Sequence, residues 1–491
     1  MEYQKIMKSV AAVSKKTGLP VYVVGGFVRD VLLYGKERKI KDIDFVVIGS
    51  GVAFARALSE QVKEEGTLVE FESFDTARFV YTETLASGEK NVLCEIEFAG
   101  ARKEQYDVAS RKPQVQTATL DEDLSRRDFT VNAMALPVSV FTKKDITDAV
   151  ILEHIIDPFN GKQDLQKKLL KTPLGPDETF SEDPLRMLRA ARFAAQLEFS
   201  IDPAAYTAIE KNRERMKIIS AERIQEELFK LLAARMPSLG LRILCDTKLI
   251  YEFLPEVPAL SGVEEIKGYK HKDNLSHTFA VVDNIAEYSD NVLLRFAGLM
   301  HDIAKPDTKE FVPGRGWTFD MHEHLGRKQV RQIGNRLRMK KKDIEYTAKL
   351  VRWHLQPIAL MDKGVTDSAV RRLIVNAGDE LHDLMILCRS DVTTGNQLKK
   401  EKRLKNYDIL EKRIEEVMEK DKMRAFQSPV RGEEIMELTG LKPGPTIGKI
   451  KKALEEAILD GKVANDYDAV REYFDTIKYE YLKNVQDWEK V

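Results

Sequence analysis

Short apolar runs separated by turns set the rhythm of the first third of the chain. Val21–Val24 runs apolar and stops at Gly25-Gly26. The next residues put Phe27, Val31 and Leu32 on one side and Arg29 and Asp30 on another, the pattern of a short amphipathic helix. A basic, turn-like stretch then leads to Asp42-Ile43-Asp44 and a second apolar run at 45–48. The predicted order is strand, glycine turn, helix, turn, strand. Further strand-like runs at 79–81, 92–98 and 131–136 make residues up to about 150 an α/β region. From about residue 160 the period is helical and stays so. Leu254-Pro255-Glu256-Val257-Pro258 breaks the helices once. A histidine-bearing helical stretch follows over about 265–395, and a basic run at 399–405 leads into a last helical segment interrupted at 440–445.

Composition sharpens this picture in three places. A chain of 491 residues is too long for one core, so several domains are expected. Hydrophobic content of 43% and charged content of 32% describe a soluble globular protein. The net charge of −1 conceals a local excess, since residues 331–352 hold eight Lys/Arg against two acidic residues. Such a stretch is either a solvated helix face or a contact for RNA phosphates. The three cysteines are far apart with no CxxC pair, so nothing suggests disulfides or a zinc cluster, which fits a reducing cytoplasm. The N-terminal apolar core is too short for a signal peptide, and no uncharged stretch reaches membrane-spanning length. A cytoplasmic protein without a membrane partner is expected.

Candidate chemistry begins at the glycines. After a strand, Gly25 and Gly26 let backbone N–H groups approach a phosphate, and the helix start adds partial positive charge. Residues two apart on a strand face the same way, so Asp42 and Asp44 present paired carboxylates that suit Mg²⁺ shared with substrate phosphates. The alternating stretch 92–98 adds Glu95 and Glu97 on one face, with Arg102 just beyond. At 126–135, RRDFTVNAMA sets Arg126, Arg127 and Asp128 before an apolar strand or helix containing Asn132. Arginine forks suit triphosphate oxygens, and Asp and Asn suit ribose hydroxyls. Singly, each feature is also explained as a tight turn, a solvated carboxylate pair or a helix cap.

Taken in this order, the glycine turn with Arg29 and Asp30, the Asp pair and the RRDFTVNAMA run resemble the nucleotidyltransferase superfamily. The form is that of bacterial class II tRNA nucleotidyltransferases and poly(A) polymerases. No Gly-Lys-Ser/Thr follows the glycines, so this is not a Walker-type loop. The resemblance implies Mg²⁺ ions held by Asp42 and Asp44, beside a third carboxylate matched by Glu97, with Glu95 the alternative. It implies nucleotide binding by Gly25, Gly26, Arg29, Arg126, Arg127, Asp128 and Asn132. DPFNGKQDL at 157–165 is similar to the family's turn between head and neck. Ser181 reads as a helix N-cap, with Pro184 in the first turn and Leu185, Leu188 and Phe193 serving the core. Asp183, Arg186 and Arg189 share one face at i, i+3 spacing, which alone suggests a surface ion pair. The segment is also similar to the family's amino-acid template, in which Asp183 and Arg186 read the incoming base. AERIQEEL at 221–228 is similar to a further neck motif, read as packing and helix support.

Six of the eight histidines lie between 271 and 354. His277, the adjacent pair His301-Asp302, His322, His354 and Asp391 fall on separate predicted segments and resemble the metal ligands of HD-superfamily phosphohydrolases. They imply a second divalent-metal site, of one or two ions, with phosphodiesterase or phosphatase activity on RNA ends or small phosphates. His154, His271, His324 and His382 are expected outside it. The expected fold is therefore multidomain α/β + α: a nucleotidyltransferase α/β head (1–155), an all-α neck (156–260), an HD domain (261–395) and a helical tail (396–491). The expected activity is addition of C, C and A to tRNA from CTP and ATP. The polar run at 103–125 resembles the flexible loop of complete CCA-adding members, and 74–79 lacks the basic run and histidine usual in the class's poly(A) polymerases. A poly(A) polymerase is the alternative, and an RNA-binding platform whose only enzyme is the HD domain is a rival of another class.

Overall fold

The computed structural model describes residues 2–35, 42–62, 66–84, 90–105, 114–143, 148–263, 265–266, 269–270, 273–361, 365–421, 428–483, 485 and 487–490. They form two compact units, 1–258 and 259–491.

The first unit opens with α1 (Glu2–Thr17), β1 (Val21–Val24), α2 (Gly26–Tyr34), β2 (Asp42–Val47) and α3 (Gly51–Val62). β3 (Gly66–Phe71), β4 (Thr76–Thr84) and β5 (Lys90–Gly100) follow, then a small hairpin of β6 (Arg102–Gln105) and β7 (Gln114–Thr117). α4 (Leu120–Ser125) and β8 (Ala135–Pro137) complete a six-stranded sheet ordered β3-β4-β5-β2-β1-β8. Its pairs are antiparallel except β2–β5, where Asp42 faces Glu95 and Asp44 faces Glu97. Side chains alternate along these strands. Ile43, Phe45, Ile96 and Phe98 therefore enter a core shared with Phe54 of α3 and Met7 and Val10 of α1. The carboxylates are left on the opposite face, where a smaller cluster of Val24, Val46, Leu124, Ala133 and Ala135 supports them.

The strand-like run at 131–136 is only partly a strand. Thr130–Asn132 forms one 3₁₀ turn before β8 starts at Ala135. Local side chains impose the turn: Asp128 Oδ1 accepts from Phe129 N at 2.8 Å and Asn132 Nδ2 at 3.0 Å, and Thr130 Oγ1 donates to Asp164 at 2.7 Å. Of the run expected as a loop, 114–117 is strand and 120–125 is helix, fixed by a capping box of Thr119 and Glu122. Residues 106–113 lie outside the described residues.

The unit continues as α5 (Asp148–His154), α6 (Gly161–Gln166), β9 (Leu169–Leu170), α7 (Pro176–Glu182), α8 (Leu185–Leu197), β10 (Ser200–Ile201), α9 (Pro203–Asn212), α10 (Ala221–Leu232) and α11 (Pro237–Asp246). α6 starts where Asp157 accepts from the N–H groups of Gly161 and Lys162, at 2.6 and 2.9 Å. A Cβ on Gly161 would lie 2.3 Å from the Thr130 carbonyl, so glycine is required there. Ser181 is not an N-cap, because it lies inside α7, which Pro176 starts. The chain turns at Asp183, whose Oδ1 accepts from Leu185 N at 3.2 Å at the head of α8.

In the second unit, β11 (Glu265–Ile266) and β12 (Tyr269–Lys270) precede α12 (Asn274–Tyr288), α13 (Val292–Met300) and α14 (Lys305–Thr308). A hairpin of β13 (Glu310–Val312) and β14 (Gly316–Thr318) leads to α15 (His322–Arg336), α16 (Lys341–Trp353), α17 (Gln356–Ala359), α18 (Asp367–Ala377) and α19 (Leu381–Ser390). The basic run at 399–405 lies within α20 (Gln397–Asp421) rather than before it. Tyr407, Leu410, Ile414 and Val417 of α20 enter the same core as Val281, Leu294, Leu350 and Leu387. α21 (Gly432–Thr439), α22 (Pro445–Leu459) and α23 (Tyr467–Leu482) pack around their own core of Ile435, Ile450, Leu454, Val470 and Phe474. No helix among the described residues is long and apolar enough to cross a membrane.

Phe98 is fully buried, with its ring centroid 4.9 Å from Phe45 and 5.1 Å from Phe54. Phe98→Ala is expected to destabilise the first unit by about 3–5 kcal/mol through lost burial and a cavity. Chemical denaturation followed on that unit's transition measures this; a loss below about 1 kcal/mol would mean the sheet is not held from its apolar face.

Candidate active sites

The first site grows from the end of β1. Gly25 adopts φ +72°, and a Cβ there would sit 3.2 Å from Arg127 Nη1 and 3.7 Å from Asp44 Oδ2. Glycine thus permits both the turn and the close approach of a cation and a carboxylate. The β2–β5 register sets Asp42, Asp44, Glu95 and Glu97 on one sheet face, and β4 adds Arg78 opposite Glu97. Arg78 lies 3.3 Å from Glu95 and 3.4 Å from Glu97. Loss of solvation at the cleft floor raises the pKa of Asp44, Arg127 opposes the rise, and Glu97 and Asp42 add to it.

The rim is arginine-rich and tightly wired. Asp123 is fully buried and holds Arg126 at 2.7 Å and Arg127 at 3.1 Å. Arg29 donates to Asn132 Oδ1 at 2.8 Å and to Asp30 at 2.8 Å. Asp128 accepts two bonds from Arg189, at 2.8 and 2.5 Å. Burial opposes its charge, yet Arg189 and the Asn132 hydrogen bond hold its pKa at about 2. Arg192 pairs with buried Glu227 at 3.2 Å, and its pKa is lowered to about 10 by burial and by Arg189 beside it. The guanidinium carbons of Arg29, Arg189 and Arg192 lie 5.3, 5.2 and 4.1 Å from the Phe193 ring centre. Arg186 donates to the carbonyls of Thr179 at 3.1 Å and Arg126 at 2.6 Å and lies 3.2 Å from Glu182. Asp183 faces Arg223 at 3.4 Å, so the i, i+3 pair with Arg186 is not the contact made. These groups enclose a cleft of about 610 Å³.

The second site is built where α12, α13, α15, α16 and α19 converge. His301 Nδ1, His322 Nδ1 and His354 Nδ1 each lie 2.7 Å from a carbonyl three residues back, those of Gly298, Phe319 and Val351. A carbonyl only accepts, so each Nδ1 donates and each Nε2 is turned inward. Asp302 divides its oxygens: Oδ2 lies 3.2 Å from His301 Nε2 and 3.6 Å from His277 Nε2, while Oδ1 lies 3.3 Å from His322 Nε2 and 3.9 Å from His354 Nε2. Asp391 completes the set 2.9 Å from His277. Burial and the neighbouring His301 lower the pKa of His354 to about 4, keeping it neutral. Burial opposes charging His301, and Asp302 and Asp391 overcome it. The ligand atoms form two triads sharing Asp302, His277–His301–Asp302 and Asp302–His322–His354, with atoms of each within 4.8 Å of one another. Inward imidazoles around a shared carboxylate are a donor set that fits divalent metal.

Comparison with known proteins decides the family. A poly(A) polymerase head domain matches residues 21–171, a probable RNA and SrmB-binding site of polymerase A matches 198–260, and an HD domain matches 274–395. A multifunctional CCA protein of Xanthomonas campestris pv. campestris is 32% identical over 386 residues, 76% of this chain and 85% of that one. The chain belongs to the class II CCA-adding tRNA nucleotidyltransferase and poly(A) polymerase family, in its HD-bearing form. It is a nucleotidyltransferase of that family. An A-adding tRNA nucleotidyltransferase of Deinococcus radiodurans is 29% identical over 360 residues, 71% of this chain and 78% of that one. The Bacillus stearothermophilus CCA-adding enzyme in complex with CTP shares the fold, with a TM-score of 0.65 at 20% identity, covering 98% of this chain and 99% of that one.

The cleft brings together Gly25, Gly26, Arg29, Asp42, Asp44, Glu97, Arg126, Arg127, Asp128, Asn132, Asp183, Arg186 and Arg189. Glu95 lines it beside Glu97, so both carboxylates face the Asp pair. Arg102 is turned elsewhere and donates to the Phe74 carbonyl at 2.8 Å. His277, His301, Asp302, His322, His354 and Asp391 converge in the second unit. His154 instead contacts Lys143 at 2.9 Å, His324 and His382 are exposed, and His271 lies outside the described residues. Sequence reasoning missed Arg78, Asp123, Arg192 and Lys230, and gave Phe193, Arg223 and Glu227 to packing or helix support. Asp123 carried a usable signal, standing three and four residues before Arg126 and Arg127.

The depressed pKa of Asp128 makes stability pH-dependent. Its folded value of about 2 lies below the ordinary 3.8, so the stabilisation is present above about pH 4 and is lost as pH falls toward 2. Asp128→Asn is expected to remove about 1 kcal/mol of the loss seen between about pH 6 and about pH 3. Urea midpoints of both proteins at the two pH values measure it, and identical pH slopes would refute the pairing.

Proposed function

We propose that this chain completes the 3′ end of tRNA by adding C, C and A from CTP and ATP, with Mg²⁺ in the first site. The observation that carries this reading is the parallel register that sets Asp42 and Asp44 against Glu95 and Glu97 under a rim of arginines. In the reaction the RNA 3′-hydroxyl oxygen bonds to the α-phosphorus of the nucleoside triphosphate. The bond from that phosphorus to the bridging oxygen breaks, and pyrophosphate leaves as the hydroxyl proton is released. Mg²⁺ held by Asp42 and Asp44, with Glu97 or Glu95 alongside, would supply charge neutralisation and acidify the hydroxyl. Arg126 and Arg127, aimed by Asp123, bind triphosphate oxygens, while Asp128 and Asn132 meet the ribose. Asp183 and Arg186 read the base; Arg186 must then release at least one of its present acceptors. The assignment of head (1–155), neck (156–260), HD domain (261–395) and helical tail (396–491) belongs to the same reading, with α20 counted in the HD core.

In the second site we place a divalent metal phosphohydrolase acting on phosphate esters, with His277, His301, Asp302, His322, His354 and Asp391 as ligands. The A-adding relative favours a second reading of the first site, in which this chain adds only the terminal A.

One assay separates these readings. The protein is given tRNA lacking CCA, tRNA ending in CC, or a generic RNA, with CTP and ATP singly and together. CCA addition predicts growth by C, C and A on the first tRNA and then a stop. Extension of the CC-ended tRNA alone would establish A addition, and an adenylate ladder on generic RNA would establish a poly(A) polymerase. Asp42→Asn and Asp44→Asn are each expected to abolish incorporation while tRNA affinity stays within about twofold, because phosphate contacts elsewhere hold the RNA. Near-normal incorporation by either variant would overturn the metal assignment. Asp302→Ala should lose metal, read by elemental analysis, and lose phosphohydrolase activity while retaining CCA addition.

A further inference from the structure

Beside the imidazole cluster lies a cavity of about 270 Å³ lined by Asn274, His277, Lys305, Phe319, Asp391 and, from α20, Arg403. Its two cations stand differently. Lys305 is committed, with Nζ 2.5 Å from Asp302 Oδ2. Arg403 is exposed and forms no hydrogen bond or ion pair among the described residues. The sequence withholds one: positions three and four residues away are Lys399, Lys400, Asn406 and Tyr407. The nearby acids of α20 are taken, Asp408 and Glu411 by Arg389 at 2.8 and 3.1 Å. A guanidinium without a partner therefore lines a cavity whose wall includes a carboxylate of the metal-ligand set.

We propose that Arg403 is the phosphate anchor of the second site and that it selects phosphomonoesters over phosphodiesters. The proposal rests on the phosphohydrolase reading of that site. Asp302 and Asp391 repel an anionic substrate, and an unpaired guanidinium offsets that repulsion with a two-pronged donor matched to two phosphate oxygens. A monoester has three non-bridging oxygens, enough to fill the fork and still present one to the imidazole–carboxylate cluster. A diester has only two and cannot do both. Hydrolysis of the monoester joins a water oxygen to phosphorus, breaks the ester P–O bond, and passes a water proton to the departing alcohol. The charged run that opens α20 thereby acquires one member with a task unlike its solvated neighbours.

The test uses the full chain, wild type and with Arg403→Met, Arg403→Lys or Lys402→Met, supplied in turn with Mn²⁺, Co²⁺, Ni²⁺ or Mg²⁺. Lys402 is an exposed member of the same run that does not line the cavity. Substrates are p-nitrophenyl phosphate, a mononucleotide, an oligonucleotide with a terminal phosphate, and bis-p-nitrophenyl phosphate; inorganic phosphate binding is measured by calorimetry. Arg403→Met is expected to raise KM for monoesters and Kd for inorganic phosphate together, by roughly tenfold or more, with kcat within about twofold. Arg403→Lys should recover part of the loss, and Lys402→Met should behave as wild type. Whether the mononucleotide or the oligonucleotide has the lower KM tells a free phosphate ester from an RNA end. If wild type hydrolyses nothing but loses phosphate affinity with Arg403→Met, the phosphohydrolase reading fails and the anchor stands. Unchanged KM and phosphate affinity in Arg403→Met, or equal sensitivity of the diester, would overturn the proposal.

Discussion

Like-charge crowding on one sheet face is the constraint that shapes the first unit. Parallel pairing of β2 with β5 stands Asp42 beside Glu95 and Asp44 beside Glu97, and nothing in the strand geometry separates them. Two unit charges ~5 Å apart repel by about 3 kcal/mol at an effective dielectric of ~20. The surroundings answer with Arg78 across the sheet and Arg127 above Gly25, but desolvation in the cleft, with Glu97 and Asp42 adding to it, keeps the pKa of Asp44 raised. The opposite face makes the arrangement tolerable. Phe98 stacks on Phe45 and packs at a tilt against Phe54 there, in a buried core that holds the strands in register beneath the carboxylates.

The second unit solves the same problem with a different ligand set. Asp302 is almost wholly buried, which disfavours a charge, yet His301 and Lys305 hold its pKa well below the usual range. The imidazoles around it are aimed by carbonyls of their own helical turns, so the backbone fixes their tautomers. Sequence spacing could only nominate these histidines; the helix ends turn them inward. Cys388 adds a last constraint, its buried thiol donating to the His354 carbonyl at 3.0 Å.

Local pattern carried the reading furthest where one strand or one turn decides the outcome. The strand at Val21–Val24, the glycine turn and the alternation at 92–98 are short-range facts, and the structure has them as expected. The pattern failed where side chains override periodicity. The run at 131–136 reads as a strand, yet Asp128 and Asp164 pull its start, with Thr130, into a 3₁₀ turn. Ser181 has the chemistry of a cap, yet Pro176 starts the helix earlier and Asp183 takes the capping contact. Phe193 looked like core, and it is buried, but its ring faces three guanidiniums: Arg189 and Arg192 stand on its own helix, and Arg29 comes from a distant segment. No spacing rule predicts that meeting, because Arg29 lies far away in sequence and only the fold brings it near.

The contacts of α8 explain why the first site behaves as one device. Arg186 donates to the Arg126 carbonyl at 2.6 Å, and Arg189 holds Asp128, so the helix proposed to read the base is tied directly to the run proposed to bind triphosphate and ribose. Glu227 of α10 fastens the other side by pairing with Arg192 at 3.2 Å and lying 3.7 Å from Arg189. Each of these bonds uses a group that a nucleotide would also want. On the proposed reading, a bound triphosphate would compete with Asp123 for the arginines, and a base with Thr179 and Glu182 for Arg186. Displacing one partner shifts the balance at the next, since the buried charges share counter-ions. A nucleotide of the wrong shape would break these contacts without replacing them and leave buried charges unpaired, at a cost of several kcal/mol per site. On the proposed reading, selection without a template strand would follow from that coupling, because the correct base would be the one whose hydrogen bonds restore what its entry disrupts.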